Sequence, residues 1–267
     1  MIRVGSTPLW KPGVGAQLDR SHPAAQGLQA CWLFNENGGN TLYDLAGNYH
    51  LALTGGVSRI ASPSGPAVKF DGTSGQGIAL GHPLAGATAF TVLLRIRQKD
   101  GLVNPFGPYL GSDQKHDTGV YIGMNAAATI LFYIGPGNLN IPLTNDTWGD
   151  YACVWDRDRN IKLGYANAVQ VASTLPPVIT IPNYLQTYVG KGSALDAYYT
   201  DSQLGWMKVY NRALSAAEIV ADGKSPWSMF TPAAARRFYS LPMGSIGSGI
   251  SRSGGLSIGA GRLNIGV

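Results

Sequence analysis

The most informative segment of this chain reads Gln203-Leu-Gly-Trp-Met-Lys-Val-Tyr-Asn-Arg-Ala-Leu-Ser-Ala-Ala-Glu-Ile219. Residues 203–210 are mostly apolar and aromatic, which favours a strand. Ser215 and Glu218 follow at the spacing of a capping box, in which a serine hydroxyl and a glutamate carboxylate each accept a hydrogen bond from a backbone amide at the start of a helix. The segment therefore predicts a strand that leads into a short helix.

The residues around this capping box predict where the helix ends. Leu214 and Ile219 stand at the two positions of a hydrophobic staple. Gly223 is expected to stop the helix, and Pro226 to keep it from resuming. The helix should then be about eight residues long.

Twelve further segments on the N-terminal side have the apolar and β-branched character of strands. Turn signals such as Asn37-Gly-Gly-Asn40 and Asp71-Gly72 separate them, at the spacing of about 8–12 residues that is typical of β-sandwiches. In the first segment, Leu28, Trp32 and Phe34 are expected on one face. The predicted strands are 28–34, 49–53, 67–70, 77–80, 90–97, 109–111, 119–124, 129–134, 151–156, 161–165, 169–174 and 187–190.

The composition supports an all-β fold. The 267 residues include 36 glycines and 16 prolines, only 13% are charged, and Glu36 and Glu218 are the only two glutamates. Many turns and few long surface helices follow from these values. We therefore predict a two-sheet antiparallel β-sandwich with one short helix.

Charge and hydropathy disfavour nucleic acid and membranes as partners. The net charge is +5, but the basic residues are dispersed, and the tightest pairs are Arg95 with Arg97 and Arg236 with Arg237. A nucleic-acid surface would be expected to cluster such residues with stacking aromatics. No apolar run reaches the roughly 18 residues that span a bilayer, and the first ten residues lack the apolar core of a signal peptide.

Two cysteines, Cys31 and Cys153, lie in apolar segments. A disulfide-stapled secreted scaffold would contain more. Buried free thiols are the simpler interpretation, and one bridge between two core strands stays open.

The chain is predicted to contain an irregular N-terminal segment (1–26), the sandwich (27–223), a connecting segment (224–243) and a glycine-rich C-terminal arm (244–267). The arm has no acidic and no aromatic residue. Ordering its backbone costs more free energy than burying its aliphatic side chains returns, so we expect it to add strands to a neighbouring subunit. The aliphatic residues of the arm are Ile246, Ile250, Leu256, Ile258, Leu263, Ile265 and Val267.

Several segments resemble the laminin-G-like family of the concanavalin A-like lectin/glucanase superfamily. The similarity covers about residues 27–222 and implies a jelly-roll sandwich. It implies no particular function, because this fold hosts lectins, hydrolases and adhesion modules. The matching segments are Gly27-Leu-Gln-Ala-Cys-Trp-Leu-Phe-Asn-Glu36, Tyr43-Asp-Leu-Ala-Gly-Asn48, Phe70-Asp-Gly72, Trp148-Gly-Asp-Tyr-Ala-Cys-Val-Trp-Asp156 and Val209-Tyr-Asn-Arg-Ala-Leu-Ser-Ala-Ala-Glu-Ile219.

The sequence departs from this family where a calcium ion would be expected. Acidic residues that the family often carries are replaced by Thr73-Ser-Gly-Gln76 and Leu204-Gly-Trp-Met207. Calcium needs several converging oxygen ligands, so we expect no cofactor, and calcium is disfavoured. Residues 156–160 resemble the start of a calcium loop but lack its Gly and Glu, which favours a hairpin turn.

A second and shorter resemblance points to a biological context. Lys224-Ser-Pro-Trp-Ser-Met-Phe-Thr-Pro232 with Arg236 and Arg237 looks like the tail of such domains in proteins of tailed bacteriophages. This resemblance implies synthesis in the bacterial cytoplasm and a place in the virion. The expected partners are capsid or tail proteins, further copies of the chain and host-surface glycans.

A glycosidase is the least favoured function. The glucanase branch of the superfamily uses paired carboxylates on one strand, one as nucleophile and one as proton donor. Glu36 and Glu218 cannot form that pattern, and Glu218 is explained by the capping box. A non-enzymatic virion protein is the leading hypothesis, and a free-standing carbohydrate-binding module is the alternative.

Four tyrosines are the candidate glycan-binding residues. Tyrosine rings stack on apolar faces and their hydroxyls form hydrogen bonds. Ordinary packing at the rim of the sandwich remains the alternative explanation. The four residues are Tyr184, Tyr188, Tyr198 and Tyr199.

Overall fold

The computed structural model describes residues 11–99, 106–114, 120–125, 129–134, 137–175, 179, 181–195 and 197–231. Arg236, Arg237 and the predicted arm at 244–267 lie outside these residues, so the predictions about them stay predictions.

The described residues form eighteen strands and one α-helix, α1, which spans Ala216–Lys224. A short 3-10 helix occupies Pro23–Ala25. The strands are β1 Gln17–Leu18, β2 Leu28–Trp32, β3 Thr41–Leu42, β4 Leu51–Thr54, β5 Val57–Ser62, β6 Gly65–Phe70, β7 Gln76–Leu80, β8 Ala89–Gln98, β9 Gly107–Ser112, β10 Val120–Met124, β11 Thr129–Ile134, β12 Gly137–Pro142, β13 Trp148–Asp156, β14 Ile161–Ala166, β15 Val169–Thr174, β16 Gln186–Val189, β17 Ser202–Tyr210 and β18 Phe230–Thr231.

Two large antiparallel sheets form the sandwich, which confirms the predicted fold class. Sheet I has the strand order β12-β11-β10-β9-β16-β7-β4-β3. Sheet II has the order β15-β14-β13-β8-β17-β6-β5, and β2 also pairs with β17. A separate two-stranded ribbon joins β1 to β18.

The main hydrophobic core contains side chains that are closed off from solvent, among them Trp32, Phe70, Phe90, Phe132 and Trp155. The rings of Phe90 and Phe132 meet edge to face with centroids 5.8 Å apart. Because successive residues of a strand point to opposite faces, the alternating apolar pattern of the sequence specified this core.

A second apolar cluster covers part of the outer face of sheet II. Trp206 and Tyr210 from β17 pack there with Leu93 from β8, Ile219 from α1 and Met229. Helix α1 therefore lies on the outside of sheet II.

Within the described residues, no helix combines the length and apolar character that would be needed to cross a membrane.

The buried ammonium group of Lys208 ties α1 to this face. Its Nζ donates to a carboxylate oxygen of Asp222 in α1 and, at 2.7 Å, to the carbonyl of Pro226. The rings of Trp206 and Trp227 each have their centroid 5.0 Å from the same nitrogen. The charge is thus fully buried but paired and enclosed by aromatic faces, as a buried cation requires.

The capping box is confirmed, but the predicted end of the helix is wrong. Ser215 caps α1, and both reciprocal hydrogen bonds with Glu218 are present. The helix continues through Gly223 to Lys224, and the N–H of Ser225 closes it by donating to the carbonyl of Ala221. Gly223 allows close packing instead, since a Cβ there would lie 3.3 Å from the Cβ of Ala168.

The predicted common face of the first strand also needs correction. Trp32 and Phe34 point into the main core, whereas Leu28 packs in the outer cluster. The pairing of β2 with β17 shifts register between Val209 and Tyr210. One extra residue in β2 reverses the face of every residue on its N-terminal side.

All thirteen predicted strand segments contain observed strands, and five strands were missed. Three of these, β3, β5 and β12, are edge strands of the two large sheets. The sequences of β5 and β12, Val57-Ser-Arg-Ile-Ala-Ser62 and Gly137-Asn-Leu-Asn-Ile-Pro142, are polar on one side. Of the N-terminal segment expected to be irregular, residues 17–18 instead form β1.

Cys31 and Cys153 are buried free thiols. They lie on β2 and β13, which β17 and β8 separate, so their Cα atoms are about 14 Å apart at the usual strand spacing. A disulfide needs less than about 7 Å. Burial raises the pKa of Cys31 to about 12, although the nearby charge of Lys208 opposes this rise.

Replacing Ser215 and Glu218 together by Ala is expected to lower the free energy of unfolding by about 1–2 kcal/mol. Both reciprocal hydrogen bonds are lost, but the main core does not contain α1. Urea denaturation followed by tryptophan fluorescence measures the change. Complete unfolding of the double variant would show that the sandwich requires the helix.

The substitution Asp222→Asn is expected to cost about 3–5 kcal/mol, because it leaves the charge of Lys208 buried without its counter-ion. The double variant Lys208→Met/Asp222→Asn contains no buried charge and should regain most of that loss. If Asp222→Asn unfolds at the same urea concentration as the unchanged protein, the ion pair does not fix α1.

Candidate functional site

The candidate site is the part of the outer face of sheet II that α1 leaves uncovered. On β8, Leu94 and Ile96 point into the main core, so Arg95 and Arg97 must point outward. Trp148 and Asp150 of β13 stand opposite these arginines, with Trp148 beside Arg97 and Asp150 beside Arg95. A polar surface therefore adjoins the apolar cluster beneath the helix.

Arg95 and Asp150 form the central ion pair of this surface. The Nη1 atom of Arg95 lies 2.8 Å from both carboxylate oxygens of Asp150. The two side chains are 21% and 34% exposed, so the pair is held firmly but still reaches solvent. The guanidinium also lies 5.9 Å from the ring centroid of Trp148.

The backbone of β17 makes room for Arg95. Gly205 is an extra residue at a register shift between β17 and β8, and a Cβ at this position would lie 3.3 Å from the Cβ, Cγ and Cδ atoms of Arg95. A larger residue would displace the guanidinium stem, so the glycine is explained by this close approach.

A cleft of about 260 Å³ opens beside the ion pair, and we call it the Arg95 cleft. One side is polar, and the other is formed by aromatic and aliphatic side chains. Its lining residues are Pro63, Ser64, Leu93, Arg95, Asp150, Tyr151, Ala152, Tyr165, Ala168, Trp206, Ile219, Asp222, Gly223, Pro226 and Trp227.

Two tryptophans give the cleft its aromatic wall. The rings of Trp206 and Trp227 meet edge to face with centroids 5.8 Å apart. Lys208 holds them in place from the buried side. Trp206 is buried and supports the half-buried ring of Trp227, which is the aromatic surface that suits the apolar face of a ring-shaped ligand, while Arg95 donates and Asp150 accepts hydrogen bonds.

A lysine from the N-terminal segment adds to the electrostatics of the site. The side chain of Lys11 donates a hydrogen bond to the carbonyl of Pro66. Burial and the nearby positive charge of Arg95 lower the pKa of Lys11 to about 7, and Glu36 opposes this shift.

Three of the four predicted tyrosines lie elsewhere, around one loop on sheet I. The ammonium group of Lys191 is 5.6 Å from the ring centroid of Tyr188 and 5.4 Å from that of Tyr199. Tyr198 packs against Phe106, with centroids 5.3 Å apart. The ring of Tyr188 is buried, whereas Tyr198 and Tyr199 are half-buried.

Tyr184 does not join this group. Its ring is buried, its hydroxyl accepts a hydrogen bond from the amide of Val120 at 3.1 Å, and it packs edge to face on His82. The assignment of the four tyrosines to a glycan site stays a prediction, and the burial of Tyr184 and Tyr188 favours a packing role for those two.

Only a weak sequence pattern indicates the Arg95 cleft. Arg95 and Arg97 alternate with Leu94 and Ile96 in a strand, which marks a sheet face that stays polar. The partner of Arg95 comes from β13, 55 residues away, and Trp227 comes from beyond α1. A local sequence pattern cannot indicate neighbours that are so distant along the chain.

The acidic residues considered for calcium are engaged with protein donors. One carboxylate oxygen of Asp71 accepts from the amides of Thr73, Ser74 and Gly75. Burial opposes the shift, but these hydrogen bonds hold the pKa of Asp71 well below its usual range. Asp156 accepts from the amide of Arg159, in the predicted hairpin turn between β13 and β14.

No cluster of three or more His, Cys, Asp or Glu residues suited to a metal ion occurs in the part of the chain that the structure describes. Glu36 and Glu218, the two glutamates, each have a separate structural role. Glu36 accepts a hydrogen bond from the amide of Tyr43, and Glu218 serves the capping box and pairs with Arg212 at 2.7 Å.

Comparison with known proteins identifies the fold family. Residues 71–220 match the family model described as the concanavalin A-like lectin/glucanases superfamily. A comparison with curated protein sequences gives no match.

Solved structures share the fold at low sequence identity. The binding domain of botulinum neurotoxin DC, in complex with rat synaptotagmin II, is 16% identical with a TM-score of 0.60, over 75% of this chain and 52% of that one. Botulinum neurotoxin type C, whose cell entry depends on two ganglioside molecules, is 15% identical with a TM-score of 0.60, over 75% of this chain and 51% of that one. The Trypanosoma rangeli sialidase is 13% identical with a TM-score of 0.59, over 81% of this chain and 36% of that one. The chain thus spans about half or less of these proteins.

Thermal melting is expected to be the same in a calcium-chelating buffer and in buffer with added calcium. The oxygens of Asp71 and Asp156 already accept hydrogen bonds from their own turns. Differential scanning fluorimetry makes the comparison. A fall in melting temperature of about ten degrees in chelator, equivalent to the loss of a tightly bound ligand, would reveal a calcium site.

Proposed function

We propose that this chain, which belongs to the concanavalin A-like lectin/glucanases superfamily, is a non-enzymatic structural and interaction protein of a tailed-phage particle that binds carbohydrate through the Arg95 cleft. The proposal has two parts, ligand binding by the sandwich and attachment by the terminal segments. Each part rests on a different observation and has its own test.

The Arg95 cleft is the observation that supports carbohydrate binding. Sugars present an apolar face formed by C–H groups and an edge of hydroxyl groups. The half-buried ring of Trp227 matches the first, and the Arg95–Asp150 pair supplies charged donors and acceptors for the second. Botulinum neurotoxin type C, which shares the fold at 15% identity and depends on two ganglioside molecules for cell entry, supports glycan binding as the function to test.

Binding without hydrolysis is the chemistry that this cleft supports. Retaining glycosidases place two carboxylates about 5–5.5 Å apart on either side of the bond to be cleaved. Asp150 is committed to Arg95, and Asp222, also at the cleft, is committed to buried Lys208. Neither is placed to act as a free acid or nucleophile.

The pairing of β1 with β18 supports attachment through the terminal segments. Gln17 lies opposite Thr231, and Leu18 opposite Phe230. The first and last strands of the described chain therefore lie side by side. A domain tethered at one point leaves the remainder of its surface free to be displayed, as the resemblance of residues 224–232 to phage proteins implies.

The substitution Asp150→Asn is expected to weaken binding to any oligosaccharide that the protein recognises on a glycan array by about tenfold, or about 1.4 kcal/mol. It removes a charged acceptor and releases the guanidinium of Arg95. Asp158→Asn is the matched control, because Asp158 also pairs with an arginine at 2.9 Å but lies in the turn between β13 and β14.

Two array results would contradict the carbohydrate-binding part. One is equal loss of binding by Asp150→Asn and Asp158→Asn, and the other is no binding of any oligosaccharide by the unchanged protein. Cleavage of a bound oligosaccharide, abolished by substitution of an aspartate, would refute the non-enzymatic part.

Truncation after Pro242 is expected to give a protein that folds and stays soluble but is missing from particles. Mass spectrometry of purified virions measures incorporation. A control chain in which a Gly/Ser linker of equal length replaces residues 244–267 should also be missing, because the aliphatic side chains are needed for attachment. Normal incorporation of the truncated chain would refute this role.

A further inference from the structure

A second depression lies on the same outer face of sheet II, one step along β8 from the Arg95 cleft. It encloses about 230 Å³, and we call it the Lys69 pocket. All of its lining residues are polar. They are Lys69, Arg97, Lys99, Asp146, Asp201, Ser202 and Gln203.

The register of three adjacent strands builds the floor of this pocket. Gln203 of β17 pairs with Lys69 of β6 on one side and with Arg97 of β8 on the other. Neighbouring strands lie about 4.8 Å apart, so the three side chains form one row across the sheet. They point outward, because the adjacent Val68, Ile96 and Leu204 point into the main core.

Two of the three cations of the pocket already have counter-ions. Nη2 of Arg97 lies 3.6 Å from a carboxylate oxygen of Asp146. Nζ of Lys99 lies 3.5 Å from a carboxylate oxygen of Asp201. The side chain of Lys69 has no hydrogen bond or ion pair with any described residue, so it carries the uncompensated positive charge of the pocket.

We propose that the Lys69 pocket is a subsite for an anionic group on the glycan that the Arg95 cleft binds, so that the ligand class is an acidic glycan with a carboxylate or sulfate substituent. This inference rests on the proposed carbohydrate-binding function and specifies its ligand. The ammonium group of Lys69 pairs with the anion, and the amide of Gln203 donates to it.

The two sites are close enough for one ligand. Arg95 and Arg97 are two residues apart on the same face of β8, a distance of about 7 Å. Trp148 bridges them, since it pairs with Arg97 and lies 5.9 Å from the guanidinium of Arg95. A sugar in the cleft therefore has its neighbour, or its own substituent, over the Lys69 pocket.

The charge balance favours a single anionic group over a polyanion. The Arg95–Asp150, Arg97–Asp146 and Lys99–Asp201 pairs are each neutral, which leaves Lys69 alone. Nucleic acid would require several uncompensated cations, one for each phosphate contacted. One acidic substituent on an otherwise neutral glycan matches this arrangement.

The test uses arrays on which each core oligosaccharide is printed in neutral, sialylated, uronic acid-containing and sulfated forms. The unchanged protein is expected to bind at least one acidic form about tenfold more tightly than its neutral core. This preference should shrink as salt increases, because partly exposed charges are screened. The carboxylated and sulfated members identify which anion is bound.

The substitution Lys69→Gln is expected to reduce binding of the acidic form to the level of the neutral core and to leave the neutral core unaffected. Lys224→Gln, at an exposed lysine on the end of α1, is the control and should keep the preference within about twofold. Melting curves of both variants verify that they are folded.

The outcomes separate this inference from the proposed function. Binding of neutral cores without preference for acidic forms, or a preference that survives Lys69→Gln, overturns the Lys69 pocket and leaves the cleft standing. Absence of binding to every printed form overturns both. Binding to nucleic acid that depends on Lys69 overturns the assignment of an acidic glycan.

Discussion

The architecture of the outer face depends on one buried charge. Lys208 lies in the middle of β17, and its side chain points away from the main core into a second apolar cluster. A buried ammonium group is tolerated only where counter-charge and hydrogen-bond acceptors surround it. Asp222 and the carbonyl of Pro226 provide these, so α1 and the turn after it must lie where both reach the same nitrogen. The rings of Trp206 and Trp227 then close the enclosure.

This requirement divides the outer face of sheet II into two parts. Where α1 covers the sheet, the outward positions of β8, β13 and β17 hold Leu93, Ala152 and Trp206. Beyond the helix, the same strands present Arg95, Asp150 and Gln203 to solvent. The border between the two parts is where an aromatic wall meets an ion pair, and the Arg95 cleft lies on it. The site thus follows from incomplete coverage of one sheet by one short helix.

The fold was largely predictable from the sequence because its determinants are local. Alternating apolar residues located the central strands, and Ser215 with Glu218 located the start of α1. Edge strands such as β12 were not predicted, because an edge strand pairs with only one neighbouring strand and its sequence is less constrained. Leu28 was assigned to the wrong face because a one-residue bulge leaves no compositional mark. The cleft could not be predicted, since Arg95, Asp150 and Trp227 come from distant segments and meet only after the sheet has formed. The four tyrosines are near one another in sequence, but the structure separates the buried Tyr184 from the other three, and their assignment to a glycan site stays a prediction.

The same few residues connect the Arg95 cleft with the ribbon of β1 and β18. Pro226 accepts from Lys208 and lines the Arg95 cleft, Trp227 forms part of the cleft wall, and Phe230 pairs with Leu18 in the ribbon. The ring centroids of Trp227 and Phe230 are 6.3 Å apart. A displacement of residues 226–231 would therefore break a hydrogen bond to a buried cation and, at the same time, move the cleft wall. Since a buried charge resists losing its partners by several kcal/mol, the Lys208 pair holds the cleft wall in place against motion of the ribbon.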